Sequence, residues 1–304
     1  MTTIVVTGAG GFIGSALIPL LLEALPADII RAQIRHTPLV QPELADLQGT
    51  IPGTLTSHPR LELLQGDLSD AAFCELLCQG ADHVIHLAGY AHTAANRNTQ
   101  LTLNLVMTET LARAAVAMGV AAFTCISSIK AKHPDQSPYA EIKQRQEALL
   151  FQYHEQDKIS VTCLRPALVY GPGMKGNLKS LLNLLSRPFL PVFPAPVATI
   201  GLISLNDCCR AIIVSLTCPA LAGQSWQLDE GIAYPLRELF SRARTIQGLA
   251  GPVLPLPGWC VKAGIRMLGA LAPLTGKAIG MGSYHSLYSE NWQADPAFGE
   301  VTGW

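Results

Sequence analysis

A chain of 304 residues, 49% of them hydrophobic, is long enough to bury one large α/β core or a nucleotide-binding domain with a smaller second lobe. A net charge of −1 with 14% charged residues excludes a strongly basic nucleic-acid binder and an acidic tail, which leaves small molecules as the expected partners. The eight cysteines show no paired zinc spacing, so they read as buried thiols of a reducing compartment and no metal is expected.

The N-terminus lacks a basic region ahead of an apolar run and so does not read as a signal peptide; the expected location is cytoplasmic. It opens instead on a β-branched strand, Ile4-Val5-Val6-Thr7, which breaks into Gly8-Ala9-Gly10-Gly11 and then an apolar helical run from Phe12 to Leu25. Glycines at 8, 11 and 14 give GxxGxxG, because Ile13 excludes the GxGxxG register. Gly8 permits the tight turn, Gly11 lets backbone approach a pyrophosphate, and Gly14 lets the helix pack on the sheet, while the helix N-terminus offers N–H groups to the anion.

A second strand, Ile29 to Ile34, ends at Arg35. An acid near this point bonds the ribose 2′-hydroxyl of NAD, whereas a cation accepts the 2′-phosphate of NADP, so Arg35 favours NADP(H) over NAD(H); a solvated charge at a strand end is the alternative. Residues 38–60, rich in proline, glycine and threonine, read as a long surface connection. Leu61 to Leu64 is a third strand leading to Gly66-Asp67-Leu68, where Asp67 is placed to accept from an adenine amino group or to cap the next helix.

His83 to Leu87 is a fourth strand ending in Ala88-Gly89, small enough for a cofactor to pass over. A helix over about Gln100 to Met118 and a fifth strand, Phe123 to Ser127, complete an alternation of nearly continuous apolar strands with helices. That pattern predicts a Rossmann-type, doubly wound parallel α/β sheet with ligands at the strands' carboxyl ends. Farther on, Pro255 to Gly282 is the most apolar stretch, but Lys262, Arg266 and Lys277 interrupt it, so a buried helix is expected rather than a membrane span.

Ser127 and Ser128 close the fifth strand, and Tyr139 and Lys143 follow at a spacing that puts both side chains on one helical face. A tyrosine titrates near pH 10 in isolation, and an adjacent ammonium lowers that value toward the range of a useful acid or base. Ser128 is then placed to hold a substrate oxygen, and Tyr139 to exchange a proton with it as hydride moves.

These motifs together resemble the extended short-chain dehydrogenase/reductases, the NAD-dependent epimerase/dehydratase family. The resemblance rests on Thr7 to Gly14, Gly66-Asp67-Leu68, His86-Leu87-Ala88-Gly89, Asn104, Ile126-Ser127-Ser128, Tyr139 with Lys143, Leu164-Arg165-Pro166 and Val169-Tyr170-Gly171-Pro172-Gly173, all in order. It implies that Ser128, Tyr139 and Lys143 are catalytic and that Lys143 also bonds the nicotinamide ribose. It implies that Gly8, Gly11, Phe12, Ile13, Gly14, Asp67, Leu68, Leu87, Ala88 and Gly89 line the cofactor, that Pro166 to Val169 pass near the nicotinamide, and that Asn104 shapes a central helix. Ser127 and Asn177 are expected on the substrate side, Asn177 at a position that touches the diphosphate in sugar-nucleotide members.

The segments around Ser128 and Asn177 look like a bacterial branch of UDP-glucose 4-epimerase-like proteins and 4-keto-6-deoxy UDP-sugar reductases of surface-polysaccharide synthesis. The resemblance therefore implies 4-keto reduction or 4-epimerisation of a nucleotide sugar. Three departures bear on it: a short Ser128 to Tyr139 loop, Ile200 where such members often carry a diphosphate-binding arginine, and a chain that stops at Gly303-Trp304. They keep open a smaller or more apolar ketone, as in the dihydroflavonol-reductase-like and sterol-dehydrogenase-like branches, and a non-catalytic NADP-binding sensor or scaffold. Residues 1–170 are expected to form the cofactor domain, with a returning segment about 198–218, and residues 171–304 mainly a C-terminally shortened substrate lobe. A homodimer through the helices near 100–118 and 139–156 is common in the family.

Overall fold

A computed structural model describes residues 1–35, 57–90, 97–174, 193–194, 199–235, 255–256 and 296–304, with a few isolated positions between 238 and 294. In chain order the elements are β1 (Thr3–Thr7), α1 (Phe12–Ala24), β2 (Ile29–Ile34), β3 (Leu61–Gln65), α2 (Ala71–Cys78), β4 (His83–His86) and α3 (Arg97–Ala117). After them come β5 (Ala122–Ile126), α4 (Pro138–Glu155), β6 (Ser160–Pro166), β7 (Leu168–Tyr170), β8 (Phe193–Pro194), β9 (Thr199–Ser204) and α5 (Leu205–Thr217). The last are β10 (Ser225–Leu228), β11 (Ala233–Pro235), β12 (Pro255–Leu256) and α6 (Ala297–Thr302).

Seven strands make one sheet in the order β10-β6-β5-β4-β1-β2-β3, and every pairing in it is parallel. The chain runs outward from β1 through β2 and β3, then returns to β4 on the other side. The reversal therefore falls between β1 and β4, where a doubly wound sheet opens a crevice at its carboxyl ends.

Both faces of the sheet are apolar because successive side chains alternate. Ile4 and Val6 point to the layer of α1 and α5, packing with Leu17, Leu21 and Ile212. Val5, between them, points to the other layer with Val84, Phe123 and Val161, beneath Leu77, Leu111 and Leu150 of α2, α3 and α4. Helix ends are closed by side chains distant in sequence: Arg60 donates to the C=O groups of Leu22, Leu25 and Asp28 behind α1, and Arg31 to those of Leu77 and Gln79 behind α2.

The strands and helices expected up to Ser127 appear with small shifts, whereas the helix expected within Pro255 to Gly282 lies outside the described residues except for Pro255 and Leu256, which form β12. β4 stops at His86 because the chain then turns the Ala88 N–H toward Thr7 Oγ1 rather than along the ladder, and α3 begins at Arg97 rather than near Gln100. The cysteines of α2, β5, β6 and α5 are free and buried, and burial pushes the Cys74 thiol up to about 12.

The chain divides into two compact units: Met1–Gly173 with Ile203–Leu228 and Asp295–Trp304, and Met174–Leu202 with Asp229–Ala294. In the first, Phe298 of α6 packs edge-on against Trp226 of β10 and against Trp304. The second holds small strands, with β9 antiparallel to β11 and β8 parallel to β12. Buried Asp229 ties it together by accepting from the N–H groups of Gly231 and Ala294. Among the described residues no helix is long and apolar enough to cross a membrane.

Candidate active site

The glycine loop leaves β1 at the reversal point. Gly8 has a φ of 67°, and a Cβ there would lie 2.8 Å from both the Cα and the N of Ala88, so only glycine fits. Its N–H donates to Gln33 Oε1 at 2.9 Å, while Gln33 Nε2 donates to the Gly66 C=O at 2.8 Å and the Gln33 C=O accepts from the Ala9 N–H at 3.1 Å. One buried β2 side chain thus ties the glycine loop to the turn after β3.

Helix α1 starts from Gly11 with no side-chain cap and no acid in its first turn. Its first N–H groups, those of Phe12, Ile13 and Gly14, have no intrahelical acceptor by geometry. An uncapped, positively polarised helix end beside a loop too tight for any Cβ fits the diphosphate of a dinucleotide.

Past the end of β2, Arg35 is exposed and its guanidinium carbon lies 4.7 Å from the centroid of the Tyr90 ring. Asp67 does not cap α2. That task falls to Asp70, which accepts from the N–H groups of Ala72 and Phe73. The Asp67 carboxylate accepts instead from the N–H and hydroxyl of Ser69, each at 2.8 Å, and these bonds hold its pKa below the usual carboxylate value. Leu68 is buried beneath it, Leu87 and Ala88 are half-buried and Gly89 is exposed.

Between β1 and β4 runs a buried chain of hydrogen bonds whose direction can be assigned by counting protons. Thr108 Oγ1 donates to the Asn104 C=O at 2.9 Å, so it accepts from His86 Nε2 at 3.0 Å. His86 Nδ1 then accepts from Thr7 Oγ1 at 2.8 Å, and Thr7 Oγ1 in turn accepts the Ala88 N–H at 3.3 Å. Gln146 of α4 joins by donating Nε2 to Thr108 Oγ1 and to the Asn104 C=O. Burial, aided by the Lys143 ammonium, lowers the His86 pKa to about 3, so this imidazole stays neutral.

Ser128 stands just past β5. Two 3₁₀ turns, Ile129–Lys132 and Pro134–Gln136, carry the chain across the short loop, and Ser137 caps α4 by accepting the Ala140 N–H at 3.2 Å. With Pro138 at its first position, α4 starts where Tyr139 falls in its first turn and Lys143 one turn on. Tyr139 is half-buried; Lys143 is buried, and its Nζ donates to the Ile126 C=O at 2.9 Å. Ser128 Oγ accepts the Lys130 N–H at 3.3 Å, which leaves its own proton for another oxygen. The neighbouring Ser127 hydroxyl is buried with no partner among the described residues.

Of the remaining expected residues, Pro166 is buried at the end of β6 and Val169 half-buried in β7. Ile200 is buried in β9, opposite Tyr234, so no cation stands at that position. Asn177 lies outside the described residues. Sequence reasoning missed Gln33, Tyr90, Thr108, Gln146 and Glu147. Gln33 did carry a signal: it is the uncharged polar residue in the otherwise apolar end of β2, where a buried amide needs partners.

This is a dinucleotide-binding fold of the extended short-chain dehydrogenase/reductase type. The chain belongs to the NAD dependent epimerase/dehydratase family, whose profile matches residues 4–192, and is an enzyme of that family. It is similar to a UDP-glucose 4-epimerase of Vibrio cholerae, 26% identical over 293 residues that cover 88% of this chain and 82% of that protein. It is also similar to a ceramide reductase of Caulobacter vibrioides, 27% identical over 301 residues, or 97% of this chain and 86% of that protein. Among solved structures, MoeE5 in complex with UDP-glucuronic acid and NAD has a TM-score of 0.71 at 20% identity, covering 99% of this chain and 93% of that one.

Proposed function

We propose that the chain is an NADP(H)-dependent oxidoreductase that reduces the 4-keto group of a nucleotide-activated sugar. The observation that carries this reading is the group at the end of β5: Ser128 with a free hydroxyl proton, Tyr139, and a buried Lys143 anchored on Ile126. The glycine loop and the N–H groups opening α1 hold the cofactor diphosphate, and Arg35 meets the 2′-phosphate. A bound nicotinamide supplies hydride exchange. In reduction, Ser128 Oγ donates a hydrogen bond to the substrate carbonyl oxygen, and Tyr139 Oη gives that oxygen its proton. Lys143 bonds the ribose with the protons not spent on Ile126 and stabilises the phenolate that Tyr139 becomes. The larger unit serves the cofactor and the smaller one the substrate. A homodimer contact through α3 would cover its exposed Leu103 and Val106.

Epimerisation uses the same residues and returns the hydride. The two are separated by following cofactor absorbance with a UDP-sugar substrate. A reductase consumes one NADPH per product, and a level trace during turnover would overturn the reading in favour of epimerisation. A second reading, reduction of an apolar ketone, is favoured by buried Ile200 where a diphosphate would want a cation and by the ceramide reductase match along 97% of the chain. NADPH consumption with a long-chain ketone but not with keto-sugar nucleotides would establish it.

A further inference from the structure

Arg35 ends β2 as an exposed side chain, yet its guanidinium lies over the Tyr90 ring, 4.7 Å from the centroid. A cation at this distance is attracted by the negative face of the ring, and a planar guanidinium can stack there while its N–H edge stays free to fork a phosphate. The ring itself is anchored. The Tyr90 N–H donates to Asn104 Oδ1 at 2.7 Å and the Tyr90 C=O accepts from Asn104 Nδ2 at 3.0 Å, so one buried carboxamide clamps the residue's backbone on both sides. The Asn104 C=O is held in turn by Thr108 of α3 and Gln146 of α4, and the Tyr90 side chain packs against the apolar layer that includes Leu68 and Val84.

Another charge competes for Arg35. The Asp67 carboxylate at the end of β3 is close enough for the two charges to act on each other. A long, exposed arginine drawn onto that carboxylate would be lost to an incoming anion. A ring that holds the guanidinium beside the strand end keeps it available, and removes part of the side-chain ordering that phosphate binding otherwise requires.

We infer that Tyr90 is a specificity-determining residue for the cofactor: its clamped ring presents Arg35 to the 2′-phosphate and so sets the preference for NADP(H) over NAD(H). This rests on the reading of Arg35 as the 2′-phosphate partner. Tyr90 acts through Arg35 and touches no reacting atom.

The test is a set of dissociation constants measured by calorimetry on the full chain for NADPH, NADH, 2′,5′-ADP and 5′-AMP. The proteins are the wild type, Tyr90→Leu, Tyr90→Phe, Arg35→Ala and the Tyr90→Leu/Arg35→Ala double variant. An exposed cation–aromatic contact corresponds to about a two- to fivefold change in affinity. Tyr90→Leu is expected to weaken NADPH and 2′,5′-ADP by that factor and to leave NADH and 5′-AMP unchanged. Tyr90→Phe keeps the ring face and should keep the wild-type ratio, and adding Tyr90→Leu to Arg35→Ala should cause no further loss of preference. The ratio of the two cofactors' constants is the readout, so a general loosening of the fold, which moves both, does not imitate the effect. Equal weakening of NADPH and NADH, or an unmoved ratio in Tyr90→Leu beside a ratio lost in Arg35→Ala, overturns the role of Tyr90 and leaves the NADP(H) reading standing. A wild-type protein that binds NADH as tightly as NADPH overturns both.

Discussion

Replacing Glu147 by leucine tests how the helix carrying Tyr139 and Lys143 is held. The Glu147 side chain is 4% exposed and that of its partner Arg165 19%. The carboxylate accepts from Arg165 Nε at 3.0 Å on one oxygen, from Arg165 Nη2 on the other, and from the Ser225 hydroxyl at 2.8 Å, joining α4 to β6 and β10. Truncating one member of such a pair leaves a guanidinium in a poorly hydrated site and costs about 3–5 kcal/mol, with the partial exposure of Arg165 placing it near the lower end. Glu147→Leu is therefore expected to lower stability by about 3 kcal/mol, a large fraction of the roughly 5–15 kcal/mol that holds a typical domain folded. Glu147→Leu with Arg165→Met removes both charges and should recover to within about 1 kcal/mol of the wild type, the residue being the lost Ser225 bond. Urea unfolding measures both as shifts in midpoint at unchanged slope. A single variant within about 1 kcal/mol of wild type, or a double variant no better than the single one, would refute the reasoning.

Gln33→Leu leaves the Gly8 N–H and the Gly66 C=O without their partner, a loss of about 1–3 kcal/mol for each group that water does not reach. The dissociation constant for NADPH, read by fluorescence titration, should rise at least about tenfold; an unchanged constant would show that the bridge does not shape the loop. Lys143→Met should lower kcat by about two to four orders of magnitude and, because the Ile126 C=O loses its donor, lower stability by about 1–3 kcal/mol; a retained kcat would take Lys143 out of the chemistry. Burial lowers the pKa of His83 from 6.5 to about 4 and that of His86 from 6.5 to about 3. The unfolded chain therefore binds the extra protons between those values, so this stability is complete above about pH 6.5 and is lost as the pH falls. The loss is about 1.4 kcal/mol per pH unit for each histidine, or about 2 kcal/mol each by pH 5, and urea midpoints between about pH 7 and pH 5 should fall accordingly, with a flat profile excluding neutral buried imidazoles.

What could be read along the chain was local. The alternation of Ile4, Val5 and Val6, the break into Gly8, Gly11 and Gly14, and the four-residue step from Tyr139 to Lys143 follow from strand pleat, glycine conformation and helix pitch, which act over a few residues. Asp67 left two readings open, and the structure gave the cap to Asp70. Gln33, Tyr90, Thr108, Gln146 and Glu147 were not legible as parts of a site, because each depends on a partner far away in sequence. Gln33 meets Gly8 across 25 residues, Gln146 meets Asn104 across 42, and Glu147 meets Ser225 across 78.

By itself, then, the order of residues determined that a parallel sheet would form and that its strand ends would carry a glycine loop, a serine pair and a Tyr–Lys step, since periodicity and turn chemistry need only near neighbours. Tertiary structure alone decided which polar groups would be buried together. It seated His86 as a neutral link between Thr7 and Thr108, set Lys143 on the Ile126 carbonyl and laid Arg35 across Tyr90. The reason is that a buried donor or acceptor has to find its partner wherever the packed strands and helices bring one within reach, and that distance is not written in the spacing along the chain.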